Sequence, residues 1–105
     1  MIRHVVMWKL KEEAAGATRQ KNAEKMKLIL EGLKTNIDEI KNVEVGININ
    51  SDEEPDMAYD VVLISDFETE LDFTMYTRNA HHKKAVDFIE SVVEERRYVD
   101  YKVDT

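Results

Sequence analysis

The run Val61-Val62-Leu63-Ile64, inside Tyr59-Asp-Val-Val-Leu-Ile-Ser-Asp-Phe67, constrains this chain more than any other stretch. Consecutive side chains of a strand point to opposite faces, so a strand with this run is buried on both sides. What covers the two faces then decides the architecture. Ile2–Leu10 has a similar character. Ile2, His4, Val6, Trp8 and Leu10 share one face, apolar except for His4. Arg3, Val5, Met7 and Lys9 share the other, apolar in its middle with a cation at each end.

The remaining segments supply elements to pack against these strands. Lys11–Ala17 reads as a polar connection containing Gly16. Thr18 can cap a helix through its hydroxyl. Beyond it Ala23, Met26, Leu30, Leu33, Ile37 and Ile40 recur at steps of three and four, an apolar helical stripe expected to end near Thr35–Asp38. Gly32 inside it costs about 1 kcal/mol relative to Ala. Val43, Val45, Ile47 and Ile49 alternate with Glu44, Gly46, Asn48 and Asn50, the pattern of a half-buried strand. Asn50–Asp56, with the single proline Pro55, reads as a solvated acidic loop. Thr69-Glu70-Leu71-Asp72 fits a helix start with an acid three residues after the cap. Leu71, Phe73 and Tyr76 suit a short helix, and Asn79-Ala80 should break it. A further helix carries His82, Val86, Ile89 and Val93. Glu94–Arg97 reads as a charged turn and Tyr98–Val103 as the last strand.

This order is βαββαβ. It is the α+β, ferredoxin-like arrangement: one domain over residues 1–105, a four-stranded antiparallel sheet and helices on one face. The first and third strands are central in that topology, and they are the two with apolar residues on both faces. The helices leave Val5, Met7, Val62 and Ile64 open. A contiguous apolar patch usually marks an interface, which implies a homodimer with two sheets face to face.

Composition excludes several functions. A net charge of −7 argues against nucleic-acid binding and against adhesion to anionic membranes. The absence of cysteine removes disulfides, thiolate metal sites and a Cys nucleophile. No apolar run approaches the roughly 20 residues of a membrane-spanning helix, and Met1–Trp8 lacks the features of a signal peptide, so a cytoplasmic location is expected. Glycines at 16, 32 and 46 cannot form a phosphate loop. Neither a metal nor a cofactor is expected. His81 and His82 are adjacent, about 100° apart on a helix, whereas chelating pairs sit at i and i+4. Asp52-Glu53-Glu54 with Asp56 lacks the calcium-loop pattern.

One constellation could carry chemistry. His82 lies on the apolar stripe of its helix, His4 on the helix-facing side of the first strand, and Tyr76 just before the helix break. An imidazole can act as base near neutral pH, and a Tyr hydroxyl can donate to a developing oxyanion. Together they suit proton abstraction beside a carbonyl. Trp8, Val6, Val61, Leu63 and Val86 would line the surrounding pocket. The bland reading makes His82 a hydrogen-bonded core residue and Tyr76 a packing group with a wet tip.

These segments resemble a family. Met-Ile-Arg-His-Val-Val-Met-Trp-Lys-Leu-Lys looks like the first strand of the stress-responsive A/B barrel (Dabb) domain. Val45-Gly-Ile-Asn-Ile and Tyr59–Phe67 look like its second and third strands, and Tyr76, His82 and Val99-Asp100-Tyr101 complete the pattern. The resemblance implies a dimeric α+β barrel. Some plant members are polyketide cyclases that close a ring by aldol condensation without a metal or organic cofactor. There a Tyr and a His spaced as Tyr76 and His82 act at a pocket between helices and sheet, and a His matching His4 lines it. This chain has Asn79-Ala80-His81-His82 where those cyclases have His-Pro-Ala-His, and Val61 where they carry another pocket His. Three readings follow: a protein or cofactor-free enzyme acting on a small apolar or carbonyl-containing ligand, a non-catalytic dimeric scaffold, and an oxygenase on the related barrel fold.

Overall fold

Strand β1 spans Ile2–Leu10, and its burial alternates as the side-chain pattern requires, with Ile2, His4, Val6, Trp8 and Leu10 buried and Met7 exposed. The computed structural model describes residues 1–104. A two-strand hairpin follows, β2 (Glu13–Ala14) and β3 (Ala17–Thr18). Helix α1 covers Arg19–Asn36, β4 Ile40–Ile47 and β5 Val61–Phe67. Helices α2 (Glu70–Arg78) and α3 (Ala80–Val92) precede β6 (Val93–Lys102). The main sheet is antiparallel in the order β4-β5-β1-β6, so the ferredoxin-like α+β fold is present with β5 and β1 at its centre. No helix among the described residues is long and apolar enough to cross a membrane.

Local chemistry explains the boundaries. The Thr18 hydroxyl accepts from the Lys21 amide and starts α1, a cap worth about 1 kcal/mol. Ala23, Met26, Leu30 and Leu33 bury the expected stripe, which continues past the helix end through Ile37 and Ile40. Thr69 caps α2 by accepting from the Asp72 amide. Asn79 ends α2 and caps α3, its side chain accepting from the His81 amide.

Four segments depart from the sequence reading. Lys11–Ala17 contains the β2–β3 hairpin, turned by Ala15 and Gly16 at φ +50° and +74°. Two positive-φ residues form the tight turn whose twist suits a hairpin. The half-buried strand ends at Ile47, and Ile49 is 93% exposed. Asn48 diverts the chain there: its side chain donates to the Tyr59 carbonyl and accepts from the Asn50 amide. Val93 opens β6 and is not the last residue of α3. Glu94–Arg97 is likewise strand and not a turn, paired with β1 from its start. An edge strand keeps its charges solvated, so a run of four costs the ladder little.

The sheet has two unlike faces. On the helix side the core gathers Val6, Trp8, Leu10, Val61, Leu63 and Phe67 under α1 and α3 residues. On the outer side Val5, Val62 and Ile64 are half-buried, while Met7, Val99 and Tyr101 are exposed. Gly46 lies opposite Val62, and a Cβ there would come within 3.2 Å of the Val62 side chain. Arg3 grips Asp66 with two hydrogen bonds of 2.8 and 3.2 Å on that side.

Asp60 braces the entry to β5. Its carboxylate accepts from the Leu10 amide at 2.7 Å, its amide donates to the Trp8 carbonyl, and its carbonyl accepts from the Asn48 amide. One buried residue thus ties β1, β5 and the end of β4. Truncating Asp60 to Ala would leave the Leu10 amide unpaired in the interior, a loss of about 1–3 kcal/mol. We expect Asp60→Ala to lower the urea midpoint accordingly. A change under about 0.5 kcal/mol would show that the brace is dispensable.

Candidate ligand pocket

The pocket arises at the joint between α2 and α3. Asn79 has extended backbone (φ −67°, ψ 138°), so the two helices do not run on as one. In an unbroken helix two residues six positions apart would lie about 120° out of line and about 9 Å apart along the axis. Across this joint the rings of Tyr76 and His82 approach to 4.3 Å between centroids. Tyr76 also packs on Phe67 at 4.8 Å, and Phe67 on Phe73 at 5.2 Å. His4 reaches the same group from β1, 5.0 Å from Phe73 and 6.3 Å from Tyr76.

These rings border a cavity of about 260 Å³ between α3 and the sheet. His4, Tyr76 and His82 line it, with Trp8, Leu63 and Val86. The other walls are Leu30, Ala85, Ile89, Glu90, Val93 and Arg96. Six of the eight residues expected at a site therefore meet in one place. Val6 and Val61 do not. Both pack into the core beneath the helices and stand outside this lining. Val61 borders instead a separate cleft with Met7, Gly46 and Val62.

Each polar group has a defined state. His4 donates from Nδ1 to the carboxylate of Asp100, which lies directly opposite it on β6. His82 donates from Nδ1 to the Thr77 carbonyl at 3.3 Å. Each contact leaves Nε2 of the neutral ring as an acceptor. Burial pushes the His4 proton affinity below that of a free imidazole, against the raising effect of Asp100. Burial does the same to His82, against the Thr77 hydrogen bond. The Tyr76 hydroxyl is pushed up to about 12 by burial and stays protonated. An acceptor that remains neutral thus faces a donor that remains undissociated, the complement needed to hold a carbonyl oxygen and receive an adjacent proton.

Sequence reasoning missed Asp100, Glu90 and Arg96. Arg96, Tyr98 and Asp100 alternate on one face of β6, opposite Trp8, Val6 and His4. Starting the last strand at Val93 exposes that alternation. Among the described residues no group of three His, Cys, Asp or Glu side chains is placed to hold a metal ion. His81 is exposed and does not line the cavity.

The Stress responsive A/B Barrel Domain (Dabb) pattern matches residues 2–103. The chain belongs to this family. Solved structures agree on the fold. A dimeric ferredoxin-like protein of unknown function from Bacteroides fragilis is 26% identical, covering 97% of this chain and 95% of its own, with a TM-score of 0.80. A Dabb protein with a ferredoxin-like fold from Mesorhizobium loti is 20% identical over 99% and 97%, with a TM-score of 0.70. The hydroxynitrile lyase of Passiflora edulis is 17% identical over 98% and 93%, with a TM-score of 0.80, a likeness of fold alone. No curated protein matches the chain significantly.

The two lowered imidazoles set a pH dependence. The unfolded chain takes up protons near the ordinary value of about 6.5, whereas the folded chain takes them up only at lower pH. Stability is therefore lost as pH falls through that window. Asp66 and Glu95 are held below the usual carboxylate range by Arg3 and Tyr59, so their contribution is lost only as the pH falls further. We expect a lower urea midpoint at pH 5 than at pH 7.5, with a smaller drop in His82→Gln. Equal midpoints would contradict this account.

Proposed function

We propose that this Dabb protein binds a small, largely apolar, carbonyl-containing molecule in the cavity between α3 and the sheet. The observation that carries this reading is the convergence of His4, Tyr76 and His82 on one 260 Å³ cavity whose other walls are mostly apolar. Pockets for small molecules have this makeup, an apolar lining with a few convergent polar groups. A filled core would have brought the same rings together and left no space between them.

A second reading, cofactor-free acid–base chemistry, draws on the states of those groups. The His82 Nδ1–H is engaged by Thr77, so its Nε2 would take the proton from the carbon beside the carbonyl. The Tyr76 hydroxyl would donate to the enolate oxygen that develops. This is the first step of an aldol-type closure, and the resemblance to plant polyketide cyclases points the same way. This chain departs from those cyclases at Asn79, Ala80 and Val61, none of which lines the cavity.

We further infer that the protein is a homodimer joined through the outer sheet face, with Val5, Met7, Val62 and Ile64 at the contact. The support is the apolar character of that face and the dimeric state stated for the Bacteroides fragilis relative. The pocket lies on the opposite side of the sheet, so pairing would leave it intact.

Native mass spectrometry of freshly purified protein tests binding and assembly together. We expect a dimer carrying a retained organic molecule, with that molecule lost in His82→Ala. A ligand-free wild-type protein that also fails to bind aryl ketones would overturn the binding reading. For chemistry, solvent deuterium should exchange into the position beside the carbonyl of a bound ketone, and His82→Ala should slow this by at least about a hundredfold. An unchanged rate would remove His82 as the base. For assembly, Val62→Asp should elute as a monomer, whereas Leu63→Asp should lower the melting temperature. A stable Val62→Asp dimer would refute the interface.

A further inference from the structure

We propose that Arg96 makes this cavity selective for anionic ligands, so that the molecule bound carries a carboxylate at the end nearest β6 and an apolar, carbonyl-bearing body inside. The inference rests on the binding reading above and names the ligand class.

Arg96 borders the cavity with His4, Tyr76 and His82. It lies opposite Trp8 in the β1–β6 register, two residues from Tyr98 and four from Asp100, so it shares the helix-facing side with them. Its guanidinium lies over the Tyr98 ring, 4.7 Å from the centroid, with both side chains exposed. Among the described residues it forms no ion pair, although this chain carries 22 acidic residues against 15 basic ones. Arg3, Arg19 and Arg97 each have a carboxylate within 4.0 Å, and among the described residues Arg78 shares with Arg96 the lack of one. Two carboxylates share its strand or its cavity, and neither pairs with it. Asp100 is taken by His4, and Glu90, at the cavity edge, makes no ion pair with it.

Its charge is nevertheless felt across the cavity. It opposes protonation of both His4 and His82 and favours ionisation of Tyr76. A guanidinium with no carboxylate partner, at the border of a mostly apolar cavity, is a receptor for a planar anion. Guanidinium and carboxylate match as a two-bond pair. The two imidazoles are neutral, and Glu90 is the one carboxylate among the lining residues. A carboxylate on Arg96 would orient the ligand lengthwise, its apolar part toward Leu63 and Trp8.

The test uses two probes that differ in charge and by one methyl group, 3-benzoylpropionate and its methyl ester. Both carry a ketone and an apolar ring. Binding is read from the fluorescence of Trp8, the sole tryptophan, and by calorimetry. The wild-type protein should bind the acid roughly tenfold more tightly than the ester, the size of one charge-assisted contact at a partly exposed site. In Arg96→Gln the acid should fall to the affinity of the ester, with the ester unchanged, and Arg96→Lys should keep part of the preference. Equal binding of acid and ester by the wild type would overturn the proposal, as would an acid preference that survives in Arg96→Gln. If neither probe binds, the cavity reading itself falls and takes this proposal with it. If the ester binds as well as the acid, the cavity stands and only the role of Arg96 is lost.

Discussion

The antiparallel ladder between β1 and β5 is the contact on which everything else depends. Val5↔Ile64 and Met7↔Val62 face outward, while His4↔Ser65, Val6↔Leu63 and Trp8↔Val61 face the helices. A slip of one residue would exchange the two sets. His4 would then point away from Tyr76, and Val5 would stand in its place. Asp60 guards against this slip, because its bonds to Trp8 and Leu10 fix where β5 begins relative to β1. The register is thus set at one end of the strand and read out at the other, where the histidine sits.

Burial acts on the two kinds of titrating group in opposite directions. It keeps the imidazoles unprotonated and the phenol protonated, since it disfavours whichever form is charged. One environment therefore prepares an acceptor and a donor together. Arg96 reinforces the first effect and opposes the second. The Tyr76 hydroxyl remains well above neutrality, so burial outweighs the cation there.

The architecture was legible because its signals are periodic. Alternation in Ile2–Leu10 and the unbroken run Val61–Ile64 named the central strands and their two faces, and the stripe from Ala23 to Leu33 named the first helix. The convergence of His4, Tyr76 and His82 also followed from knowing which side of each element a residue occupies. The cavity walls were harder. Val6 and Leu63 are neighbours on one face, yet only Leu63 meets the open space, because volume is decided by how side chains fill each other's gaps. Periodicity carries no record of that. Arg96 is hidden for a different reason: the charge density of Glu94–Arg97 reads as a turn, when an edge strand tolerates it. Ile49 failed in the opposite sense, since alternation continued past the residue where Asn48 bends the chain.

Asn79 touches no part of the cavity, yet it closes one helix and opens the next. The contact between Tyr76 and His82 is consequently set by a joint. A different residue at this corner would hold the same two side chains at a different reach, with no substitution in the wall itself. The width of the cavity is thus governed by the backbone of one residue, at a position that an inventory of lining residues would pass over.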